Sequence, residues 1–358
     1  MDFVTVAEYN HYKYVIFCVI VAVGIVTAMA QLIRAEALKV PAAVTVVLAL
    51  VCIYMVGNYP DIAGDANSDK FYYWVGANDV LNGFGAMSGT GFGFYLITKL
   101  VVSFLPIEAY FLALAAIYVF GILFFCRSLS KDDFGIIFIA MILNFQFVGY
   151  GTNTIRAGLA SAFVLVGMGA FRDNRYFGLL LFAVGVSVHK SWLLPVACYL
   201  MACYKDKTNV YLVLWLVSIV VSAVAGSVFQ PYADVILGED RMGYFANDSA
   251  GGAYKSGFRL DFLIYSCLPV AFGYYYIYKC RFKDKYYKVL YNMYLMANAC
   301  WILVIRANFT DRFAYLSWFI YSALLIYPLV KDQNMVAHQR SWLAGIILGL
   351  TAFNMWIL

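Results

Sequence analysis

From Tyr14 to the C-terminus the chain is a succession of apolar stretches, most of them closed by one or two basic residues. No water-soluble fold accepts that pattern. A soluble domain keeps roughly 25% of its residues charged, whereas here 13% are charged and 64% hydrophobic over 358 positions. One soluble core could not hide so much apolar surface. The stretches therefore read as helices whose solvent is lipid and whose backbone hydrogen bonds close within each segment. The fold class is all-α, a polytopic membrane protein. The 30 Tyr and 29 Phe read as residues of the lipid–water boundary.

Lysine and arginine assign the sides, because cytoplasmic loops carry an excess of both. The first run, Tyr14 to Ala30, has Asp2 and Glu8 before it and Arg34 after it. That is the wrong flank for a cleavable signal, so the run reads as a true span with its N-terminus outside. Val40–Val56 returns outward to a polar stretch, Gly57–Gly91, where Asp61, Asp65, Asp69 and Asp79 face a single Lys70. Such an acidic loop suits the outer side. Phe92–Leu105 is short against the roughly twenty residues of a span. It reads as a re-entrant or interfacial helix, which keeps Arg127 and Lys131 inside. The later stretches are Ile107–Phe125, Phe134–Gly149, Ala157–Phe171, Tyr176–Val188, Ser191–Tyr204, Val210–Phe229, Leu260–Tyr278, Tyr291–Ile305, Phe313–Val330 and Trp342–Leu358. They bring the expectation to about twelve spans plus the re-entrant piece. The whole of 1–358 reads as one transmembrane domain with outer loops 57–91 and 230–258. There is no internal repeat of transporter scale, no low-complexity tract and no basic run suited to nucleic acid. The eight cysteines form no C-x-x-C pair, so neither a zinc site nor a disulfide framework is indicated.

This topology leaves ten of the 25 basic residues outside: Lys13, Lys70, Lys99, Arg156, Lys190, Arg241, Lys255, Arg259, Arg306 and Arg312. The excess reads as an outer site for an anionic ligand, with a diphosphate fitting best. Guanidinium groups meet phosphate with paired donors and stay charged at any working pH. Arg156, Arg259, Arg306 and Arg312 each flank a helix end, so several can converge on one cavity. Asp261 and Asp311 lie beside Arg259 and Arg312, where local ion pairs would fix the helix rims instead. His189 ends an apolar stretch and reads either as a cap or as a proton acceptor. Asp61, Asp65 and Asp69 offer a carboxylate base, or else form turns. No acidic pair has clear metal-ligand spacing, and no cofactor is expected.

Arg156-Ala-Gly158, an apolar span, the basic hairpin Arg172 to Arg175, a second apolar span and His189-Lys-Ser191 form a pattern. It resembles the EpsG family of bacterial membrane proteins, which groups with the Wzy-type O-antigen and exopolysaccharide polymerases. An early outer loop with Asp65, Asp69 and Tyr72 and a late element with Arg312, Phe313 and Tyr315 add to the likeness. The resemblance implies a GT-C-like helical bundle in the bacterial plasma (inner) membrane, its active site facing the periplasm or exterior. It implies an enzyme that moves a growing glycan from undecaprenyl diphosphate to the non-reducing end of the next undecaprenyl-diphosphate-linked repeat unit. Donor and acceptor are then lipid-linked oligosaccharides, the bilayer is the second partner, and a chain-length regulator is a possible third. Asp65 or His189 becomes the base. Arg156, then Arg312, Arg259 and Arg306, face the diphosphate, and Asp69, Tyr72, Arg241 and Tyr244 face the glycan. The tyrosines gain a second reading as lining of a glycan path. The rival expectations are another polyprenyl-linked glycosyltransferase, an O-antigen ligase, or a flippase or other transporter. A transporter should show a repeat or mid-membrane charges, and a ligase one very large outer loop.

Overall fold

The computed structural model describes residues 3–33, 39–62, 69–84, 91–229, 257–307 and 310–357. Its helices are α1 (Val6–Ile33), α2 (Ala42–Gly57), α3 (Asp69–Leu81), α4 (Phe92–Phe104), α5 (Tyr110–Leu129), α6 (Phe134–Ile142), α7 (Gln146–Thr152) and α8 (Ile155–Ala170). They continue with α9 (Arg175–Val188), α10 (Leu193–Tyr204), α11 (Thr208–Phe229), α12 (Leu260–Tyr274), α13 (Lys285–Leu303), α14 (Thr310–Trp318), α15 (Tyr321–Lys331) and α16 (Gln339–Ile357). The remaining regular structure among the described residues is short 3-10 and π turns and a two-residue parallel pair, β1 (Phe3–Val4) with β2 (Asp61–Ile62). The all-helical expectation holds. Within the polar stretch 57–91, read from the sequence as a loop, α3 forms. The residues 150–155 between the stretches Phe134–Gly149 and Ala157–Phe171 largely belong to α7 and α8.

Among the described residues five helical segments are long and apolar enough to cross a membrane: Val6–Ile33, Ile107–Leu129, Thr208–Ala225, Leu260–Lys279 and Thr310–Lys331. A sixth results if α6 and α7, bent by 73° at their junction, count as one broken span. The other apolar helices, such as α2, α8 and α9, have 16, 16 and 14 residues. Helix α1, at 28 residues, is about 42 Å long, more than the ~30 Å hydrocarbon core. Large apolar side chains stand exposed along α1, α2 and α11, among them Val26, Met29, Val47, Leu50, Val213, Leu216 and Val220. A face of this kind is at equilibrium against lipid tails and not against water.

The chain divides into two compact units. Residues up to His189 with Leu329–Leu358 make the first, and Lys190–Pro328 the second. In the first, small residues set the helix contacts, as they must where lipid gives no hydrophobic drive between helices. Gly24 of α1 faces Thr351 of α16. Gly121 and Gly169 place Ala162 and Ser128 at the same offset, so α5 and α8 run parallel. Gly167 meets Phe182 and Gly178 meets Phe171, so α8 and α9 form an antiparallel hairpin. The hairpin turns at Asn174, whose side chain caps α9 by accepting from Phe177 N–H at 3.1 Å.

The short helix α4 is held at both ends to one end of this unit. Gly91 and Gly93 abut Ser187 and Val188 at the close of α9. At the other end, Leu105 and Pro106 lead straight into the turn Ile107–Ala109 and α5, and the Tyr110 hydroxyl meets Thr98 at 2.9 Å. The first turn of α5 lies level with the start of α8 and the end of α9. A helix about 20 Å long with both its ends so placed lies across that end of the unit.

In the second unit α13 is the centre. Tyr287, Tyr291 and Tyr294 are fully buried, as are Tyr276 and Tyr321 on its neighbours. Others such as Tyr176 and Tyr204 stand exposed at helix ends, but for these five tyrosines the reading as boundary residues does not hold. Their hydroxyls donate to main-chain carbonyls of adjacent helices: Tyr287 to Leu324 at 3.0 Å, Tyr291 to Val270 at 2.8 Å, Tyr294 to Ser266 at 3.0 Å and Tyr276 to Leu325 at 2.9 Å. A phenol with its one polar atom paired is a good core residue. Asn298 ties four helices. Its carbonyl accepts from Trp215 Nε1 at 2.8 Å, and its amide donates to Ser266 Oγ at 3.1 Å and Ser317 Oγ at 3.0 Å. Trp318 Nε1 also reaches Ser266 Oγ, at 2.7 Å.

Candidate functional site

At the start of α8, Thr154 N–H and Oγ1 both return to the Gly149 carbonyl, at 2.9 and 3.2 Å, and turn the chain out of α7. The fold-back is tight. A Cβ on Gly158 would lie 2.3 Å from the Tyr150 carbonyl oxygen. This gives the glycine of Arg156-Ala-Gly158 a physical role, because only a residue without a side chain lets α7 pass there. Gly158→Val is expected to lower stability by about 2–4 kcal/mol through forced separation of α7 and α8, read as a lower melting temperature of the purified protein.

Arg156 sits in the first turn of α8, half-buried. His189 closes α9, its N–H donating to the Gly185 carbonyl at 3.1 Å, and it is also half-buried. Gly185 faces Ala160 and Val164 across the hairpin. His189, one turn later, is therefore level with the first turn of α8, which carries Arg156. The structure places these two residues at one end of the hairpin and Arg172 and Arg175 at the other. Arg172 Nη1 donates to the Ser128 carbonyl at 2.8 Å, at the end of α5, where a cation complements the helix dipole.

The same end of the first unit holds a residue that sequence reasoning counts among the outer cations without giving it a role in the site. Lys70, the single cation of the acidic stretch, is buried in the second position of α3. Its ammonium donates to the Tyr59 carbonyl and stands 4.6 Å from the centre of the Phe111 ring. A small cavity beside it is bounded by Tyr118, Tyr150 and Ile155, the residue before Arg156. Burial pulls the Lys70 ammonium down to about 8, against the pull of the neighbouring Asp61 carboxylate, which favours the charged form. The unfolded chain then binds the proton more tightly than the folded one. Stability contributed through Lys70 rises with pH between about 8 and the ordinary lysine value of 10.5 and is lost as pH falls through that window. Melting temperatures of the wild type relative to Lys70→Met are expected to climb across it, and parallel curves would contradict the assignment. The signal available in the sequence was a lone lysine among aspartates next to an aromatic run, Phe71-Tyr72-Tyr73-Trp74.

Asp69 opens α3, half-buried, and Tyr72 is exposed one turn on. Asp65, Arg241 and Tyr244 lie outside the described residues.

In the second unit the structure brings Arg259, Arg306 and Arg312 to one end of the bundle. Arg259 precedes α12, Arg306 follows α13, and Arg312 lies in the first turn of α14. The Arg259 guanidinium grips Asp261 with two bonds, Nε to Oδ1 at 2.9 Å and Nη2 to Oδ2 at 2.6 Å, and stacks 3.5 Å from the Phe262 ring. The helix-rim ion pair is thus real for this residue, and much of its donor capacity is used. Arg306 stands 5.3 Å from the Phe258 ring, and its Nε is buried with no hydrogen-bond partner among the described residues. Asp311 is within electrostatic reach of both Arg312 and Arg259. Trp301 Nε1 fixes the return into α14 by donating to the Thr310 carbonyl and Oγ1, at 3.0 and 2.9 Å. Among the described residues the three arginines outnumber the two aspartates, which gives this end a positive balance. Among the described residues no three His, Cys, Asp or Glu side chains gather as metal ligands would.

Helices of membrane-crossing length, apolar outer faces and cations held at helix ends define a multi-pass membrane protein. The EpsG family matches residues 43–357, and the chain belongs to that family. No curated protein and no solved structure matched it.

Proposed function

We propose that this protein is a polysaccharide polymerase. It would transfer a growing glycan from undecaprenyl diphosphate to the non-reducing end of the next undecaprenyl-diphosphate-linked repeat unit, at the outer face of the plasma membrane. The observation that carries the reading is the EpsG match over nearly the whole chain, which points to a polymerase-type role in exopolysaccharide or O-antigen synthesis. The arginines at helix ends support the mechanism. In the transfer, the acceptor hydroxyl gives its proton to a base, Asp65 or His189. Its oxygen bonds to the anomeric carbon of the donor, and the bond from that carbon to the diphosphate oxygen breaks. Negative charge grows on the departing undecaprenyl diphosphate. Arg156 of the first unit, or Arg312 and Arg306 of the second with Arg259 shared with Asp261, would stabilise it, which lowers the barrier because charge is greater in the transition state than in the substrate. Asp69, Tyr72, Arg241 and Tyr244 would meet the sugars, and α4, lying across one end of the first unit, is the re-entrant or interfacial piece.

The test is a gel of surface polysaccharide from a deletion strain, with and without the wild-type gene. A ladder of repeats that disappears on deletion and returns on complementation supports a polymerase. A full ladder in the deletion strain excludes it and directs attention to a single-sugar transferase or a transporter.

A further inference from the structure

A cavity of about 810 Å³ opens at the end of the first unit remote from Arg156 and His189. The two ends are separated by the length of α1. Tyr9 and Tyr12 at its start pack on Tyr59 beside Lys70, while Gln31 at its close lines the cavity. The wall that matters is polar: Lys39, Asp133, Gln333, Asn334, His338 and Arg340. Among the described lining residues Lys39 and Arg340 oppose one carboxylate, Asp133, and His338 and the two amides add N–H donors. The volume falls in the range of small-molecule sites, roughly 300–1,000 Å³.

The wall is built, and does not depend on a ligand to shape it. Gln339 clamps the segment between α15 and α16. Its amide donates to the Leu329 and Asp332 carbonyls, the latter at 2.7 Å, and its oxygen accepts from Val336 N–H at 3.3 Å. The Asp332 carboxylate is turned to Asn334 N–H at 3.2 Å. His338 adopts φ 55°, a left-handed conformation uncommon for a residue with a side chain. Its carbonyl accepts from Ser341 and Trp342 N–H, at 2.9 and 3.2 Å, and so begins α16. Strain of this sort persists where the surroundings hold it, and it collects at binding sites. The start of α16 lies at the same wall, where the positive end of the helix dipole favours an anion.

We propose that this cavity binds a phosphate-bearing anion, at the end of the unit that also carries Arg172 and Arg175, and separately from the polymerase site. Arg340 supplies a permanent positive charge at the wall, Lys39 a mobile point charge at the rim, and the amides and His338 hydrogen-bond donors. A soluble phosphate compound and an anionic lipid headgroup share this chemistry.

The probe is inorganic pyrophosphate, titrated calorimetrically into the full chain in phosphatidylcholine nanodiscs. Wild type and Arg306→Ala should both show saturable binding, since Arg306 belongs to the other candidate site. Lys39→Gln/Arg340→Gln should bind at least about tenfold more weakly, and Arg340→Lys should retain most of the affinity because it keeps the charge. Unchanged melting temperatures without pyrophosphate separate loss of binding from loss of fold. Repeating the titration in phosphatidylglycerol nanodiscs identifies the source. Suppressed pyrophosphate binding there points to a headgroup, and undiminished binding to a soluble compound; either supports the site. Absence of saturable binding in wild type overturns the proposal. So does an affinity of the double variant equal to that of wild type, or binding that Arg306→Ala alone removes. The ladder assay does not involve this cavity, so failure here leaves the polymerase reading standing.

Discussion

Arg156→Ala, expressed in the deletion strain, is expected to enter the membrane in normal amount and to leave single repeat units where wild type gives a ladder. Arg156 stands at the mouth of α8 with Gly158 two residues on holding α7 close, so truncating its side chain leaves that packing contact in place. On the proposed mechanism, what is lost is a charge that stabilises the leaving diphosphate. Removing one donor of this kind costs about 100- to 1,000-fold in rate, enough to erase polymer from a gel. His189→Ala should fail in the same way if the imidazole is the base. The informative partner is Arg172→Ala. Arg172 sits at the opposite end of the same helix hairpin and donates to the end of α5, so its loss should cost no more than about 1 kcal/mol of stability and leave the ladder intact. A silent Arg156→Ala beside a dead Arg172→Ala would mean that the chain lies in the membrane the other way round.

Asn298→Leu is expected to give the largest loss of stability of any single substitution named here, about 3–5 kcal/mol. Leucine is close to asparagine in size, so no cavity accounts for the effect. The cause is the set of groups left behind. Trp215 Nε1 would lose its acceptor, and Ser266 and Ser317 the amide that donates to both. Buried polar groups without partners bear their full desolvation cost, and members of one network fall together. The measurement is the melting temperature of purified protein, with Asn298→Asp as a second variant that keeps the acceptor for Trp215. Equal stability of Asn298→Leu and wild type would mean that α11, α12, α13 and α14 are held by apolar packing alone.

The sequence by itself determined the class. Apolar stretches closed by basic residues, with so few charges, admit only helices in lipid, and Arg156-Ala-Gly158 with His189-Lys-Ser191 led to EpsG before any fold was known. The hairpin of α8 and α9 was equally legible, since Arg172 to Asn174 is a polar turn between two apolar runs and the two ends follow from the chain's return. Periodicity is blind to other things. It saw an acidic loop where α3 forms, because the burial of Lys70 depends on Tyr59, Asp61 and Phe111, which no local rule relates to it. It assigned tyrosines to the boundary because it cannot see which carbonyls of neighbouring helices await a donor, and in the second unit those carbonyls take the hydroxyls into the core. It listed Arg259, Arg306 and Arg312 as separate helix-end cations. Only the packing of α12, α13 and α14 decided that they share one end, and that Asp261 holds the first of them. Local sequence sets which segments enter the membrane, because transfer to lipid is a property of each segment. Which polar groups meet inside is a property of pairs, and pairs exist only once the helices have packed.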